Sequence, residues 1–317
     1  MKRILVVCML VLCLVPLSAC SNNNRQILVT NYPVKYIAER IAKDHIEVKL
    51  ISEGDTIQVA TIKSNYRDLV NNSDILFYIN DLESYYDIYN EEIRDTNIKM
   101  VDLASKSSYY TFQRYITDYQ NGNNYVETAN YYDGDIFNNI DIYKNDPMVW
   151  MDATAFIGTA ETIKNYLSDA YPDYADDFEK NYQDLVKDLA LLDAEMQKLK
   201  DYKISFVSVT PSFGSWQRAY GIDVYPLILS KYGALPTEGQ LQVIEQKIFS
   251  NHVRYIVKEH NLNDDMEALY EKVKNDLGLI EIDLSNISLL SKEEKQDNSD
   301  YLTIMYENIK QLEGIGE

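Results

Sequence analysis

The stretch PDYADDFEKNYQDLVKDLALLDAEMQKLK, residues 172–200, carries the strongest pattern in the chain. Its apolar side chains recur at steps of three or four positions, and they are Tyr174, Phe178, Tyr182, Leu185, Leu189, Leu192, Met196 and Leu199. This spacing predicts one amphipathic helix with a continuous apolar face. At a rise of 1.5 Å per residue, a helix ending near Lys200 would be roughly 40 Å long. A helix of that length in the middle of a chain can connect two domains.

Segments on both sides of this helix alternate between predicted strands and predicted helices. The predicted strands cover residues 27–30, 46–51, 74–79, 204–209, 253–257 and 279–283. A last helix is predicted over residues 300–312. Such alternation favours mostly parallel sheets. The predicted fold class is therefore α/β, with two similar lobes, each a mostly parallel sheet flanked by helices, bridged by one long rigid helix.

The first twenty residues are typical of a bacterial lipoprotein signal peptide. Lys2 and Arg3 precede an uncharged apolar run over residues 4–16, which is too short to span a bilayer comfortably. The run closes on Leu17-Ser18-Ala19-Cys20, a sequence typical of a lipoprotein cleavage site. We expect residues 1–19 to be removed and Cys20 to carry lipid that holds the protein on the outer face of the cell membrane. An uncleaved N-terminal anchor is the alternative, with the same extracytoplasmic location.

These patterns divide the mature chain into four parts. We expect the lipidated Cys20 and a polar tether over residues 20–26, an N-terminal lobe over 27–172, a linker helix over 173–201 and a C-terminal lobe over 202–317. Residues 107–146 stand apart, because they contain eight tyrosines, many Asn and Asp, and two cationic residues. Their poor periodicity predicts a long surface excursion with short ordered pieces. The favoured interpretation is plain loop filler, that is, a connecting loop without a binding role, and an adhesive surface is the alternative.

The charge balance excludes several classes of partner and activity. The 50 Asp and Glu residues outnumber the 30 Lys and Arg residues, which gives a formal charge of −20. Such a surface disfavours nucleic acid and anionic lipid as partners. The usual hydrolase and metalloprotease motifs are absent from the sequence, and its three histidines offer little for general-base catalysis. We expect a monomer that is not an enzyme.

Several stretches resemble the TroA-like zinc and manganese family, the metal-type solute-binding lipoproteins of bacterial ABC importers. Residues 29–33 (VTNYP) are similar to the opening strand and turn of that family, and residues 146–152 (DPMVWMD) resemble its Asp-Pro-His-Val-Trp-Leu-Asp motif. Phe213-Gly214 and the predicted last helix are also similar to family features. The resemblance covers residues 27–313. It implies a ligand site between two lobes and an ABC permease as the membrane partner.

This sequence differs from the family at the positions of the metal ligands. The resemblance implies a ligand cleft lined by Tyr32, Gln58, Met148, Trp150, Thr210 and Asp283. Gln58, Met148 and Thr210 stand at the positions of the family's three histidines, and only the carboxylate is retained, as Asp283. An amide, a thioether, a hydroxyl and one carboxylate lack the nitrogen and sulfur ligands that zinc prefers. The resemblance therefore implies no certain cofactor, and a weakly bound divalent cation is the remaining metal candidate.

The chain's own histidines do not replace the missing ligands in this interpretation. His45 precedes a predicted strand, and His252 lies just before another, so both are expected at the surface. Glu259-His260 follows the strand predicted over 253–257, so this pair could approach the cleft, although a surface position is favoured for His260.

Two functions follow from this sequence. The first is an extracytoplasmic solute-binding lipoprotein of a metal-type ABC importer with a degenerate metal site, whose ligand is a weakly bound cation or a neutral or cationic organic solute. The second is a binding or adhesion lipoprotein that kept the scaffold and lost the metal cargo. A pocket lined by converging polar groups favours the solute-binding function, and a cleft filled by side chains favours the adhesion function.

Overall fold

The part of the chain that the structure describes begins after the predicted leader. The computed structural model describes residues 25–54, 56–106, 109–120, 123–260 and 262–316. The signal peptide and Cys20 lie outside these residues. Within them, no helix combines the length and the apolar character needed to cross a membrane.

The first lobe is built on a four-stranded parallel sheet. Its strands and the small hairpin inserted between them are β1 (Gln26–Val29), β2 (Glu47–Leu50), β3 (Ser52–Glu53), β4 (Thr61–Ile62), β5 (Ile75–Tyr78) and β6 (Lys99–Asp102). The flanking helices are α1 (Tyr32–Ala42), α2 (Tyr66–Asn71) and α3 (Tyr86–Arg94). The strand order is β2-β1-β5-β6, with every pair parallel. Asn31 caps α1, because its side-chain oxygen accepts the Val34 amide hydrogen at 3.0 Å.

The segment expected to be an excursion, residues 107–146, forms an antiparallel hairpin of β7 (Arg114–Gln120) and β8 (Asn123–Ala129). On either side of it, Phe112, Tyr132 and Tyr143 are buried in the main core. The segment therefore holds a regular hairpin and core residues in addition to the predicted surface loop, and its interpretation as filler or as an adhesive surface stays a prediction. The dipeptide Asn121-Gly122 was the missed sequence signal, since it is a strong hairpin former between β-rich runs.

The helix predicted from the apolar face is present. Helix α4 (Ala153–Ala170) leads into a 3₁₀ turn at Pro172–Tyr174, then α5 (Ala175–Lys198), then a second 3₁₀ turn at Leu199–Asp201. The predicted face is buried except Tyr174, which is partly exposed. The helix packs on α1 of the first lobe, where Asn181 donates to the Ile41 carbonyl oxygen at 2.9 Å. The helix is confirmed, whereas the domain boundaries drawn around it stay a prediction.

The second lobe repeats the topology of the first. Its strands are β9 (Ser205–Ser208), β10 (Asp223–Pro226), β11 (Tyr255–Lys258) and β12 (Ile280–Asp283). Its helices are α6 (Ser215–Tyr220), α7 (Glu238–Ser250), α8 (Asp264–Leu277), α9 (Lys292–Gln296) and α10 (Tyr301–Ile315). The parallel order β10-β9-β11-β12 matches that of the first sheet, and α10 packs against α5. The predicted fold class is confirmed.

One hydrophobic core runs through both lobes. It joins the β1 side chains Ile27 and Val29 to the buried face of α5 and onward to Ile256 of β11 and Leu312 of α10. A smaller cluster, which includes Leu28 and Leu76, fills the other face of the first sheet.

Candidate functional site

The carboxyl ends of the two sheets meet at a set of contacts between the lobes, which we call the interlobe seam. After β5, the Asp81 carboxylate lies 3.5 Å from the Lys231 ammonium, which follows β10 in the other lobe. The Tyr143 hydroxyl donates to the Lys231 carbonyl oxygen at 3.4 Å, and the Lys231 amide donates to the Asp141 carbonyl oxygen at 2.8 Å. In open α/β sheets ligands bind at this edge, so the seam is the expected place for a ligand.

Gln58 lies buried beneath the Lys231 turn. It belongs to a 3₁₀ turn, Ile57–Val59, between β3 and β4. Gly233, at φ +72°, comes so close that a Cβ added there would lie 3.3 Å from the Gln58 Cβ and 3.0 Å from the Met266 Cε. A glycine at this position therefore permits the close approach of the two lobes.

A buried carboxylate marks the sheet edge in the first lobe. Glu83 follows β5 and is only 3% exposed. One of its oxygens accepts the Asn31 side-chain amide at 3.4 Å, and the other has no hydrogen-bond partner. Burial raises the pKa of Glu83 to about 7, and hydrogen bonds from Thr30 and Asn31 only partly oppose that shift.

A second buried carboxylate lies at the sheet edge of the second lobe. Glu259 follows β11, and its Oε1 accepts the backbone amides of Val209 and Thr210 at 2.7 and 2.8 Å. Its Oε2 accepts the Thr210 hydroxyl at 2.5 Å and the Asn286 side-chain amide at 2.9 Å. Burial raises the pKa of Glu259, while these four hydrogen bonds oppose the shift. Thr210, a predicted cleft residue, is thus held by Glu259 and fully buried.

Met148 and Trp150 lie in the connection that precedes α4. The Met148 amide donates to Asp146 Oδ1 at 2.9 Å, and both side chains are fully buried. Trp150 Nε1 donates to the Asn286 carbonyl oxygen at 2.9 Å, and its own carbonyl oxygen accepts the Tyr301 hydroxyl at 2.6 Å. Asn286 therefore links Trp150 to Glu259 and Thr210, which brings two of the predicted cleft residues into one network.

The remaining predicted residues, Tyr32 and Asp283, have other neighbours. Tyr32 starts α1, where burial and the nearby Asp300 carboxylate raise its pKa. Asp283 ends β12 with a side chain that is 65% exposed, and its carboxylate pairs with His260 Nε2 at 2.8 Å. The carboxylate that contacts Thr210 is Glu259, which the sequence placed at the carboxyl end of a predicted strand but did not assign to the cleft.

His260 lies between two carboxylates. Asp283 bonds its Nε2, and the Glu294 Oε1 lies 3.5 Å from its Nδ1. The hydrogen bond to Asp283 and then that to Glu294 raise the pKa of His260 to about 10. The side chain is 31% exposed, so it is neither fully at the surface nor buried; its Nε2 is hydrogen-bonded to Asp283, and its Nδ1 contacts Glu294 only at ion-pair distance.

We expect this histidine to give the fold a pH dependence on the alkaline side. Because the folded pKa is raised above the unfolded value near 6.5, its stabilisation is complete below about pH 6.5 and is lost as pH rises toward 10. Replacing His260→Gln should lower the free energy of unfolding by about 1–2 kcal/mol at pH 6 and by much less at pH 10, after allowance for the exposure of Asp283. Urea titrations at both pH values measure this difference. The exposed His252→Asn variant is the control, and equal losses at both pH values would contradict the prediction.

The donor set at the seam is poor in metal ligands. Among the described residues, no group of three or more His, Cys, Asp or Glu side chains is arranged to hold a metal ion. Gln58, Met148 and Thr210 supply an amide, a thioether and a hydroxyl, which are weak ligands for zinc. The sequence did not single out Glu83, although it is an acid near the carboxyl end of a predicted buried strand, whereas Glu259-His260 was placed at a strand end that could approach the cleft.

Two parallel sheets of the same strand order, facing each other and joined by a long helix, define the fold of the metal-type solute-binding proteins. Residues 27–314 match the family described as zinc-uptake complex component A (ZnuA), periplasmic, and the chain belongs to this family.

Curated relatives and solved structures agree with this assignment. The zinc-binding lipoprotein AdcA of Streptococcus pneumoniae serotype 4 is 25% identical over 95% of this chain, which spans only 58% of that protein. The crystal structure of the periplasmic zinc-binding protein TroA from Treponema pallidum has a TM-score of 0.71 at 16% identity, over 91% of this chain and 98% of that chain. The Zn(II)-bound ZnuA-like domain of Streptococcus pneumoniae AdcA has a TM-score of 0.67 at 20% identity, covering 92% and 98%. At these identities the structures show a shared fold.

Proposed function

We propose that this chain is the extracytoplasmic solute-binding component of an ABC importer of the zinc-uptake type, and that its metal site is degenerate. The cargo would be captured between the lobes and presented to a membrane permease. The single observation that carries this proposal is the interlobe seam, where the carboxyl ends of two like sheets face each other across Asp81, Lys231 and Gln58. Family membership supports the transport role.

We assign the ligand-binding role to the predicted cleft residues and to Glu259. Thr210, Trp150 and Glu259 already share one hydrogen-bond network through Asn286, and Gln58 of the first lobe packs against Gly233 of the second. Because α5 packs on helices of both lobes, loading would involve small lobe movements rather than wide hinge opening.

Metal analysis of the mature chain tests this function. We expect elemental analysis of protein isolated from its native membrane to find metal at well below one atom per chain. Calorimetric titration should give zinc, manganese or copper(I) dissociation constants above about 1 μM, equivalent to a binding free energy weaker than about −8 kcal/mol. The Asp283→Asn variant should weaken this binding, and the exposed Asp133→Asn variant should not. Zinc retained at full occupancy would contradict the degenerate site, and no heat with any cation would rule out a cation cargo.

The alternative, a binding or adhesion lipoprotein that no longer carries metal, also has one supporting observation. Met148, Trp150 and Thr210 are fully buried, so side chains fill part of the space between the lobes. A laminin-binding protein (Lmb) of Streptococcus agalactiae, described as bifunctional with adhesin and metal-transporting activity, shares the fold at a TM-score of 0.69 and 17% identity. Surface binding that persists in a variant unable to bind any solute would favour this alternative.

Membrane attachment provides a separate prediction. Replacing Cys20→Ser removes the thiol that lipid modification requires, so the protein should move from the membrane fraction to the soluble extracytoplasmic fraction nearly completely, since stable anchoring depends on buried acyl chains. Fractionation and immunoblotting measure the distribution. Ser21→Ala, which keeps the thiol, is the control. Retention of the Cys20→Ser protein in the membrane would indicate an uncleaved N-terminal anchor instead.

A further inference from the structure

A surface groove adjoins the segment between β10 and α7. Its lining comes from residues 130–142, residues 227–244 and Phe112. Two adjoining hollows of about 270 and 370 Å³ make up the groove, because Phe137, Ile140 and Leu229 line both of them. None of the predicted cleft residues lines either hollow, so the groove is separate from the proposed cargo site. We call this feature the apolar groove.

Several apolar side chains along the apolar groove remain in contact with solvent. Ile142 lines the larger hollow, and Tyr232 and Leu235 line the smaller one. Together with Ile136, which precedes Phe137, these side chains are between 43% and 48% exposed. Single exposed apolar side chains are common on protein surfaces, whereas a cluster of them with a polar rim marks a surface that binds another molecule.

The apolar groove also carries negative charge that the protein does not neutralise. Asp133 and Asp135 line the larger hollow, Asp141 lines the smaller one, and all three are exposed. Among the described residues, none of these aspartates has an ion-pair partner, and no Lys or Arg lines either hollow. The neighbouring Lys231 is paired with Asp81 of the first lobe. The groove therefore attracts positive charge from outside the chain.

These two properties restrict the class of occupant. An anionic membrane surface would be repelled by the three carboxylates. A second copy of this chain carries the same formal charge of −20, so charge opposes self-association through the groove. Small molecules are mostly enclosed by their sites, whereas two open hollows side by side suit a peptide segment that places one apolar side chain in each. A positively charged, partly apolar segment is complementary in both respects.

We propose that the apolar groove is a docking surface for a segment of a partner protein that carries two large apolar side chains flanked by Lys or Arg. The apolar side chains fill the two hollows, and the cationic groups pair with the three aspartates at the rim. Apolar burial supplies most of the affinity, and the rim charges accelerate association and select the partner. The groove contains no cargo residue, so this docking does not depend on solute transport.

Fluorescence anisotropy with a labelled peptide tests this docking on the mature chain. The probe is a short amphipathic peptide of leucine and lysine, and the comparison peptide has glutamate at every lysine position. At physiological ionic strength we expect the leucine–lysine peptide to bind with a dissociation constant below about 50 μM. The leucine–glutamate peptide should bind at least about tenfold more weakly, because like charges repel at the rim.

Charge variants separate the groove from the general acidity of the chain. Asp133→Asn combined with Asp135→Asn should weaken binding of the leucine–lysine peptide by about tenfold. Asp169→Asn combined with Asp173→Asn removes the same charge at other exposed positions and should change the affinity by less than about twofold. Equal losses in the two double variants would overturn the proposal, because the peptide would then respond to net charge alone.

Apolar variants test the hollows themselves. Tyr232→Ser combined with Leu235→Ser should weaken binding by at least about tenfold. The matched control is Tyr306→Ser combined with Leu191→Ser, which changes the same residue types at exposed positions outside the groove and should leave the affinity unchanged. Thermal unfolding shows that each variant is folded. Unchanged binding in the Tyr232 and Leu235 variant would overturn the proposal.

Two further results would assign the apolar groove to another occupant. Dimerisation of the natural chain in sedimentation experiments, abolished by Leu235→Ser, would assign it to a second copy. Octylammonium binding as tightly as the peptide would assign it to a small ligand. Failure of the docking proposal would leave the import function standing, because that function is tested by titration of zinc, manganese and copper(I).

Discussion

A triple variant with Gln58→His, Met148→His and Thr210→His should bind zinc about 10³-fold more tightly than the natural chain, a gain of about 4 kcal/mol. The three substitutions place imidazoles at the positions that the family resemblance assigns to metal ligands, and zinc prefers nitrogen over amide or hydroxyl oxygen. Gln58 and Thr210 follow strands of opposite lobes, so a tight site requires that the seam bring them together. Calorimetry with a competing chelator measures the affinity.

The control is the corresponding triple asparagine variant, which changes the same positions without adding imidazole and should not gain zinc affinity. Circular dichroism shows whether each variant folds. In the histidine background, Asp283→Asn and Glu259→Gln identify the fourth ligand, because only the carboxylate that contacts zinc will lower the affinity. A well-folded histidine variant with no gain would show that the three positions do not converge.

The Glu259→Gln variant should lose about 2–4 kcal/mol of folding stability. The carboxylate accepts four hydrogen bonds from Val209, Thr210 and Asn286, and it is only 2% exposed. A glutamine side chain would place its NH₂ group against some of these N–H and O–H donors. Buried donors that are hydrogen-bonded in the natural chain would then face another donor, which is unfavourable. Urea unfolding measures the loss, and hydrogen exchange at the Val209 and Thr210 amides should accelerate.

The exposed Glu293→Gln substitution is the control for this loss. Glu293 carries the same chemical change at the surface, where we expect an effect within about 0.5 kcal/mol. A Glu259→Gln protein as stable as the natural chain would mean that the four hydrogen bonds contribute little to stability.

The sequence predicted most of the fold because its helices and central strands carry strong periodic patterns. Within the two four-stranded sheets, two strands were missed, β6 and β10, and both lie at sheet edges. In β6 only Val101 is buried, so the apolar signal is weak. In β10 the last residue is Pro226, which argues against a central strand but is tolerated at an edge.

The candidate site was harder to predict than the fold. The position of Thr210 at a strand end follows from periodicity, but its partner Glu259 lies 49 residues later in the chain. Pairing across such a separation depends on how two strands align in the sheet, which a single sequence does not show. For the same reason, the pairing of Asp283 with His260 and the free oxygen of Glu83 became visible only in three dimensions.

The continuous core has a thermodynamic consequence. The largest cluster of buried apolar side chains includes residues of both sheets and the buried face of α5, so the two halves share most of their hydrophobic interior, and only a smaller cluster belongs to the first lobe alone. Disrupting one half exposes apolar surface that the other half had covered, so partly unfolded forms gain little stability. The chain is therefore expected to behave as one cooperative unit rather than as two halves that melt in turn.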